Sequence, residues 1–500
     1  MTGNSQLRPE ILLGPNPFLE ALPPLIRFNE LPKKLMRTPL NEVPWRTLDA
    51  ADREIYLNLS QNHFAPTAQL IDVGAGVQQL LHRSLSQFNP LNADERWRIQ
   101  RIGLIENEAQ ISQLPKLNGA GQLDMGMTGT GKSTVIERIL ECIAPEQVID
   151  FGTSEACGWY RLKQCVYLHI DHPSNGTRGG LLKRILEHLD RVLGTDYVTQ
   201  HSRTVNLDTL MVVVSKLLTM HRVALIVIDE NQQSTLQDSP WRVEFALFYL
   251  MLMNLGISVV LLGNPLAFEY LEQYSQVMRR FSIGGIHRFC PATNAQVMWW
   301  KQHFVPGVRE FSLVENWNID PSRRAELEFD NSAGNPGLFA AYHCEVQRIA
   351  LRRGGPTATV TEKDFIAAAR SPHYIECKEV ALAIRMGAAP SRRHYLDLPA
   401  ADHSGPDSLG QEPLATPPKV PSDATLSVVK RLSANYQRQQ TKRTNAFVAQ
   451  LESLKSLDKD DIRALGVTEE LLSEMERVVA GRDKPTARKK SATDAKDAGA

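Results

Sequence analysis

The stretch Gly126-Met127-Thr128-Gly129-Thr130-Gly131-Lys132-Ser133 constrains this chain more than any other. It satisfies the pattern GxxxxGK[ST] at every fixed position. Three glycines let the backbone curl so that successive N–H groups converge on one anion. A following run, Thr134–Glu141, reads as a helix whose N-terminus faces that anion. The pattern therefore predicts a nucleotide phosphate loop built from Gly126, Thr128, Gly129, Thr130, Gly131, Lys132, Ser133 and Thr134. Lys132 is expected on the β- and γ-phosphates and the Ser133 hydroxyl on Mg²⁺. The residues before the loop, Gln122–Met125, make a poor strand, with two polar residues in four.

About a hundred residues downstream, Val223–Glu230 is an aliphatic run ending in two acids. A buried parallel strand of this kind delivers carboxylates to its C-terminal edge. Asp229 is expected to hold the metal and Glu230 to polarise an attacking water. Val166–Asp171 and Ile257–Asn264 read as further buried strands. Asn264 stands where a γ-phosphate sensor would project, and it also suits a cap before Pro265. Leu266–Val277 reads as a helix leading to Arg279 and Arg280, and Ile286–Phe289 as the last strand. The paired arginines complement a helix dipole, or reach a neighbouring subunit's nucleotide. The fold class that follows is α/β: a P-loop parallel sheet flanked by helices.

Five hundred residues exceed one core, so several domains are expected. We read residues 1–95 as an N-terminal arm and helical segment, 96–291 as the nucleotide-binding domain, and 292–386 as a helical lid. Residues 387–424, rich in Pro, Ala, Ser and Asp, read as a linker, and 425–500 as a helical tail with a low-complexity end. In the lid, helices are expected over Ala295–Phe304, Pro321–Phe329, Leu338–Arg352 and Thr361–Arg370. Thr361 and Asp364 have capping-box spacing, and Trp299 and Trp300 read as core. Lys plus Arg and Asp plus Glu each number 56. Attraction to nucleic acid must therefore come from a local basic surface. Six scattered cysteines without a CxxC pair suit reduced thiols in a cytoplasmic protein. No apolar run approaches the roughly 18 residues a membrane helix needs, so no membrane partner is expected.

Phosphate loop, acid-ended strand, Asn-ended strand, arginine helix end and helical lid follow in the chain order of an AAA+ ATPase, which the sequence resembles. Within that group, residues 95–370 resemble the Tn7-type TnsC and TniB family, the ATP-dependent regulators of DNA transposition. The residues that carry this are Val166–Asp171 with its Pro-Ser-Asn-Gly loop, the helix 181–193 ending Leu193–Tyr197, Ile228–Gln232, Gly256–Ala267 and Met278–Phe281. The resemblance implies an ATP- and Mg²⁺-dependent homo-oligomer, a ring or helical filament, on double-stranded DNA. It also implies transposase subunits and a target-selection protein as partners, the former engaged through the tail after 425. By position, Lys132, Ser133, Asp229 and Glu230 would serve ATP and Mg²⁺, Asn264 would be the sensor, and Arg279 or Arg280 the trans-acting group. The segment after the second strand faces DNA in that family, which nominates Thr177, Arg178, Lys183 and Arg184 for backbone phosphate contacts.

One position departs from the AAA+ pattern. Many members carry arginine after Gly-Asn-Pro in the lid, and here Gly337 stands there. This departure leaves open whether the lid supplies a second sensor, and whether turnover is slow or partner-stimulated. The competing readings are another AAA+ initiator or loader and a switch-type signalling NTPase. An initiator would bring a DNA-reading domain after the lid, where this chain has a linker-like stretch. A switch NTPase would bring effector or repeat domains, and no repeat is visible.

Overall fold

The computed structural model describes residues 14–386, apart from 175, 203, 205, 232–241 and 273. The expected linker 387–424 and tail 425–500, and the first 13 residues of the arm, lie outside the described residues. So do the side chains of Glu230 and Asn231.

A five-stranded parallel sheet forms the centre. Its strands are β1 (Gly121–Gly126), β4 (Tyr167–Asp171), β5 (Leu225–Asn231), β6 (Ser258–Gly263) and β7 (Ile286–Phe289), in the spatial order β4-β5-β6-β1-β7. Strands β5 and β6 are continuous aliphatic runs because helices cover both faces. Every residue from Leu225 to Ile228 and from Val259 to Leu262 is fully buried. A separate antiparallel pair, β2 (Val148–Phe151) and β3 (Leu162–Cys165), precedes β4. Phe18 of the arm anchors it, with ring centroids 5.5 Å from Phe151 and 5.7 Å from Trp159.

The strand that looked poor in sequence, β1, is as enclosed as β6. All six of its residues are buried. Leu123 and Met125 alternate with Gln122 and Asp124, and the two polar side chains hydrogen-bond to each other. Gln122 Nε2 donates to the Asp124 carboxyl at 2.9 and 3.1 Å. Helix Leu70–Gln87 lies close against this face. A Cβ on its Gly76 would come within 2.3 Å of Gln122 Oε1, so only glycine permits the approach.

Residues set before the nucleotide domain by sequence divide between two cores. Phe18, Leu19, Leu31 and Leu35 join the core of the sheet, together with helix Leu70–Gln87. Leu40, Trp45 and Leu57 instead pack with Phe311 and Leu313 beside the lid. The chain crosses between the two at Arg37 and Phe64. These two residues pair as an antiparallel bridge, with N–H···O distances of 3.3 and 2.9 Å. Arg53, buried in the second cluster, donates to the carbonyls of Leu48, Arg46, Leu313 and Pro356, and so fixes this part of the arm to the lid.

The lid contains helices Pro321–Ser332, Pro336–Gly354, Glu362–Ala368 and Ile375–Met386, with a short parallel pair, β8 (Asn316–Asn318) and β9 (Thr359–Thr361). Sequence predicts a helix over Ala295–Phe304. The structure has a π-helix, Trp300–Phe304, running into Val305–Arg309. The wider turn stacks Trp300 on Phe304 at 5.1 Å and sets it edge-on to Phe339 at 5.2 Å. Trp300 is a core residue, 2% exposed. The capping box forms: Asp364 accepts from the Thr361 N–H at 2.7 Å and from its hydroxyl at 2.9 Å. Among the described residues, no helix is long and apolar enough to cross a membrane.

Candidate nucleotide site

The parallel sheet brings the predicted residues to one edge. In register, Asp171 lies opposite Asp229, Met125 opposite Gly263, and Gly126 opposite Phe289. The register between β5 and β6 shifts after Ile228, and Asn231 pairs with Gly263. The phosphate loop, the end of β5 and Asn264 therefore leave adjacent strands at the same C-terminal edge.

The loop itself needs its glycines. Gly129 has φ +82° and Gly131 φ +90°, a left-handed region that side-chain-bearing residues avoid. Gly131 then starts helix Lys132–Ile143, whose free N–H groups open onto the loop. Thr130 is buried, and its hydroxyl donates to the Met127 carbonyl at 2.8 Å. Lys132 Nζ donates to the Gly126 carbonyl at 2.7 Å and the Met127 carbonyl at 2.9 Å. Its ammonium is thus held over the mouth of the loop by weak neutral acceptors, which an anionic phosphate would replace. Ser133, at the second helical position, is half-buried and Thr134 exposed. A curled loop of glycines, a lysine at its mouth and a helix N-terminus are a donor set that fits a nucleotide phosphate chain.

Asp229 is 7% exposed, and its carboxylate lies 3.7 Å from His169 Nε2 on β4. Its carbonyl accepts from the His172 N–H at 2.8 Å. A half-buried Ser133 hydroxyl and the Asp229 carboxylate are hard oxygen donors of the kind Mg²⁺ takes. Beneath the loop lies Asp124. Burial pushes its carboxyl up to about 8, against the opposing pull of Gln122 and Lys132 and with the nearby Asp229 charge adding to the rise. His172 packs on Phe245 at 5.1 Å, and burial pulls its imidazole down to about 4.

Asn264 directly follows β6, and its carbonyl accepts from the Ala267 N–H at 2.9 Å, opening helix Pro265–Glu272. Arg279 and Arg280 stand elsewhere. They end helix Ser275–Phe281, and the turn that follows bonds to the start of β1, where Gly284 N–H donates to the Gly121 carbonyl at 2.9 Å. That is the opposite edge of the sheet from their own phosphate loop. Arg280 donates to Asn254 Oδ1 at 2.8 Å, whereas Arg279 is exposed.

The four basic-segment candidates also separate. Thr177 caps helix Arg178–Leu193 by accepting from the Gly180 N–H at 3.1 Å. Arg178 pairs with Asp208 at 3.3 Å. Lys183 and Arg184 are exposed, as is Arg191 about two turns further on.

Two contributors to the site have no local sequence signal. Thr67 reaches the loop from the arm, its Cγ2 lying 3.9 Å from where a Gly131 Cβ would sit. Asn335, at the head of the lid helix, donates to the Thr128 carbonyl at 3.1 Å. Gly-Asn-Pro-Gly reads in sequence as a helix start, and nothing in it names a partner two hundred residues away.

Residues 125–271 match the family model described as AAA domain. No curated protein matches the sequence. Solved structures similar to this chain include Cdc6p from Pyrobaculum aerophilum, at 12% identity and TM-score 0.35, covering 55% of this chain and 66% of that one. The Aeropyrum pernix ORC1 protein in complex with DNA is 18% identical, with TM-score 0.35, covering 59% of this chain and 71% of that one. Domain III of the Thermotoga maritima replication initiation protein DnaA is 11% identical, with TM-score 0.32, covering 56% and 92%. The chain thus spans just under two thirds of the Cdc6p length. The residues that match the AAA domain model hold the phosphate loop, Asp229 and Asn264, on a P-loop parallel sheet.

Proposed function

We propose that this chain is an ATP-dependent regulator of DNA transposition. In this reading it oligomerises on double-stranded target DNA, links a target-selection protein to transposase subunits, and hydrolyses ATP. The observation that carries the nucleotide part is the convergence of Lys132, Ser133, Asp229 and Asn264 on one sheet edge. The DNA part rests on the resemblance of residues 95–370 and on the exposed Lys183, Arg184 and Arg191 of one helix face. A chain of zero net charge needs such a local patch to hold phosphates.

The division of labour follows from the residues. Lys132 and the loop N–H groups bind and orient the phosphates. Ser133 and Asp229 would hold Mg²⁺, which supplies charge neutralisation at the phosphoryl oxygens. Glu230, whose backbone ends β5 beside Asp229, is the proposed base for water. Asn264 orients that water or the γ-phosphate. Arg280 is held by Asn254 of its own chain, which makes the exposed Arg279 the better candidate to reach a neighbour's nucleotide. Of the four basic-segment candidates, Thr177 and Arg178 are engaged within the chain, so Lys183 and Arg184 are the proposed phosphate contacts.

The test is negative-stain imaging of the protein with a random duplex several turns long, with and without ATP, beside Lys132→Ala. Rings or spirals that need both ATP and Lys132 on any duplex support the proposal. Assembly confined to one DNA sequence would point instead to an initiator, and no DNA-dependent assembly would remove the filament reading.

A further inference from the structure

The lid meets the phosphate loop through one amide and one backbone N–H. Asn335 is 1% exposed. Its Oδ1 accepts from the N–H groups of Gly337 at 3.0 Å and Leu338 at 3.2 Å, capping helix Pro336–Gly354. Its Nδ2 donates to the Thr128 carbonyl at 3.1 Å. The Gly337 N–H also donates to the Gly129 carbonyl, at 2.7 Å. The contact has no room for a side chain from either direction. A Cβ on Gly337 would stand 2.9 Å from the Gly129 carbonyl oxygen and 3.1 Å from its Cα. A Cβ on Gly129 would stand 2.9 Å from Asn335 Oδ1.

From this geometry we infer that Asn335 is a positioning residue for the phosphate loop, and that Gly337 is required because the lid docks there by its backbone. The inference rests on the nucleotide-site reading above and deepens it. The physical link is the planar trans peptide. Holding the Thr128 carbonyl toward the lid turns the Gly129 N–H of the same peptide away from it. Two consecutive loop carbonyls, 128 and 129, are fixed this way, so the lid sets the crest of the loop before a phosphate arrives. Donors fixed in advance need no reorganisation on binding. The absence of a basic residue at 337 is then a steric requirement of this lid contact: any side chain there must lift the lid off the loop.

The experiment is titration of the full chain with a fluorescent ATP analogue, with thermal unfolding measured in parallel. Gly337→Ala puts a methyl against the Gly129 carbonyl while favouring the helix it sits in. Asn335→Ser keeps an oxygen to cap the helix but is too short to reach Thr128. Each is expected to weaken analogue binding roughly tenfold, about the worth of one buried hydrogen bond, with little change in unfolding temperature. A purely structural role for the two residues predicts the reverse, a lowered unfolding temperature with unchanged affinity per folded molecule. Affinities within about twofold of native for both variants, with Lys132→Ala unable to bind, would overturn the lid inference and leave the nucleotide site standing. Native binding by Lys132→Ala would overturn the site reading and this inference together.

Discussion

Asp124 offers a direct measurement of how the core under the phosphate loop handles charge. It is fully buried on β1, an inner strand of the sheet, and burial pushes its carboxyl up to about 8 from the usual 3.8. The folded state therefore keeps a proton that the unfolded chain gives up above about pH 4. Where the folded state binds more protons, stability falls as pH rises, by about 1.4 kcal/mol per pH unit for one group. The window runs from the unfolded value up to the folded one, and the loss levels off above pH 8. Asp124→Asn removes the titration at nearly constant volume. It keeps an amide oxygen that can accept from Gln122 Nε2. The variant should thus match the native protein near pH 4–5 and exceed it by a few kcal/mol at pH 8. The assay is urea unfolding of both proteins without nucleotide at half-unit pH steps, read as the difference in stability. Other titrating groups cancel in that difference unless they touch residue 124. A difference that stays flat from pH 5 to 8 would refute the claim that burial holds this carboxyl neutral.

Three further outcomes follow from two buried groups and one backbone position. Glu95 is the single anion between Arg98, at 2.5 and 2.8 Å, and Arg222, at 2.8 Å, all nearly inaccessible. Glu95→Ala leaves two guanidiniums buried and should cost roughly 3–5 kcal/mol in a denaturant titration. In the lid, His343 stacks between Trp317 and Phe339 and contacts the Phe311 carbonyl at 3.0 Å. Burial draws its imidazole down to about 3, so the unfolded state is the better proton binder below about pH 6.5, and stability should fall from there as the medium is acidified. His343→Gln should flatten that acid limb when lid tryptophan fluorescence is followed. At the phosphate loop, Gly131→Ala meets φ +90° and should cost on the order of 1 kcal/mol or more in stability and most of the nucleotide affinity, checked by calorimetry with ATP.

What could be read from the sequence and what could not divide along a physical line. The phosphate loop, the aliphatic run ending at Asp229 and the strand ending before Asn264 are legible because each is a local pattern whose cause is local: φ > 0 at glycine, or burial on both faces of a strand. The β1 strand is illegible for the opposite reason. Gln122 and Asp124 look wrong for a central strand until each is seen to hydrogen-bond the other under a helix that carries Gly76. The arm is similar. Its apolar residues announce burial, but nothing in their spacing says that Phe18–Leu35 belongs to the sheet and Leu40–Leu57 to the lid.

That division bears on Gly337. Read against a pattern, it is a missing arginine and a missing sensor. Read with its neighbours, it is a position where any Cβ meets the Gly129 carbonyl, while the adjacent Asn335 holds the loop and the helix end at once. The arm adds a second constraint on the same lid. It is pinned to the sheet core by Phe18 and Leu35 and to the lid by Arg53, and it crosses between them at the Arg37–Phe64 bridge. Tilting the lid away from the phosphate loop must open the two bonds to residues 128 and 129. Lid and loop meet in this chain through the Asn335 amide and the Gly337 N–H, and a charged side chain at 337 is not needed for that contact.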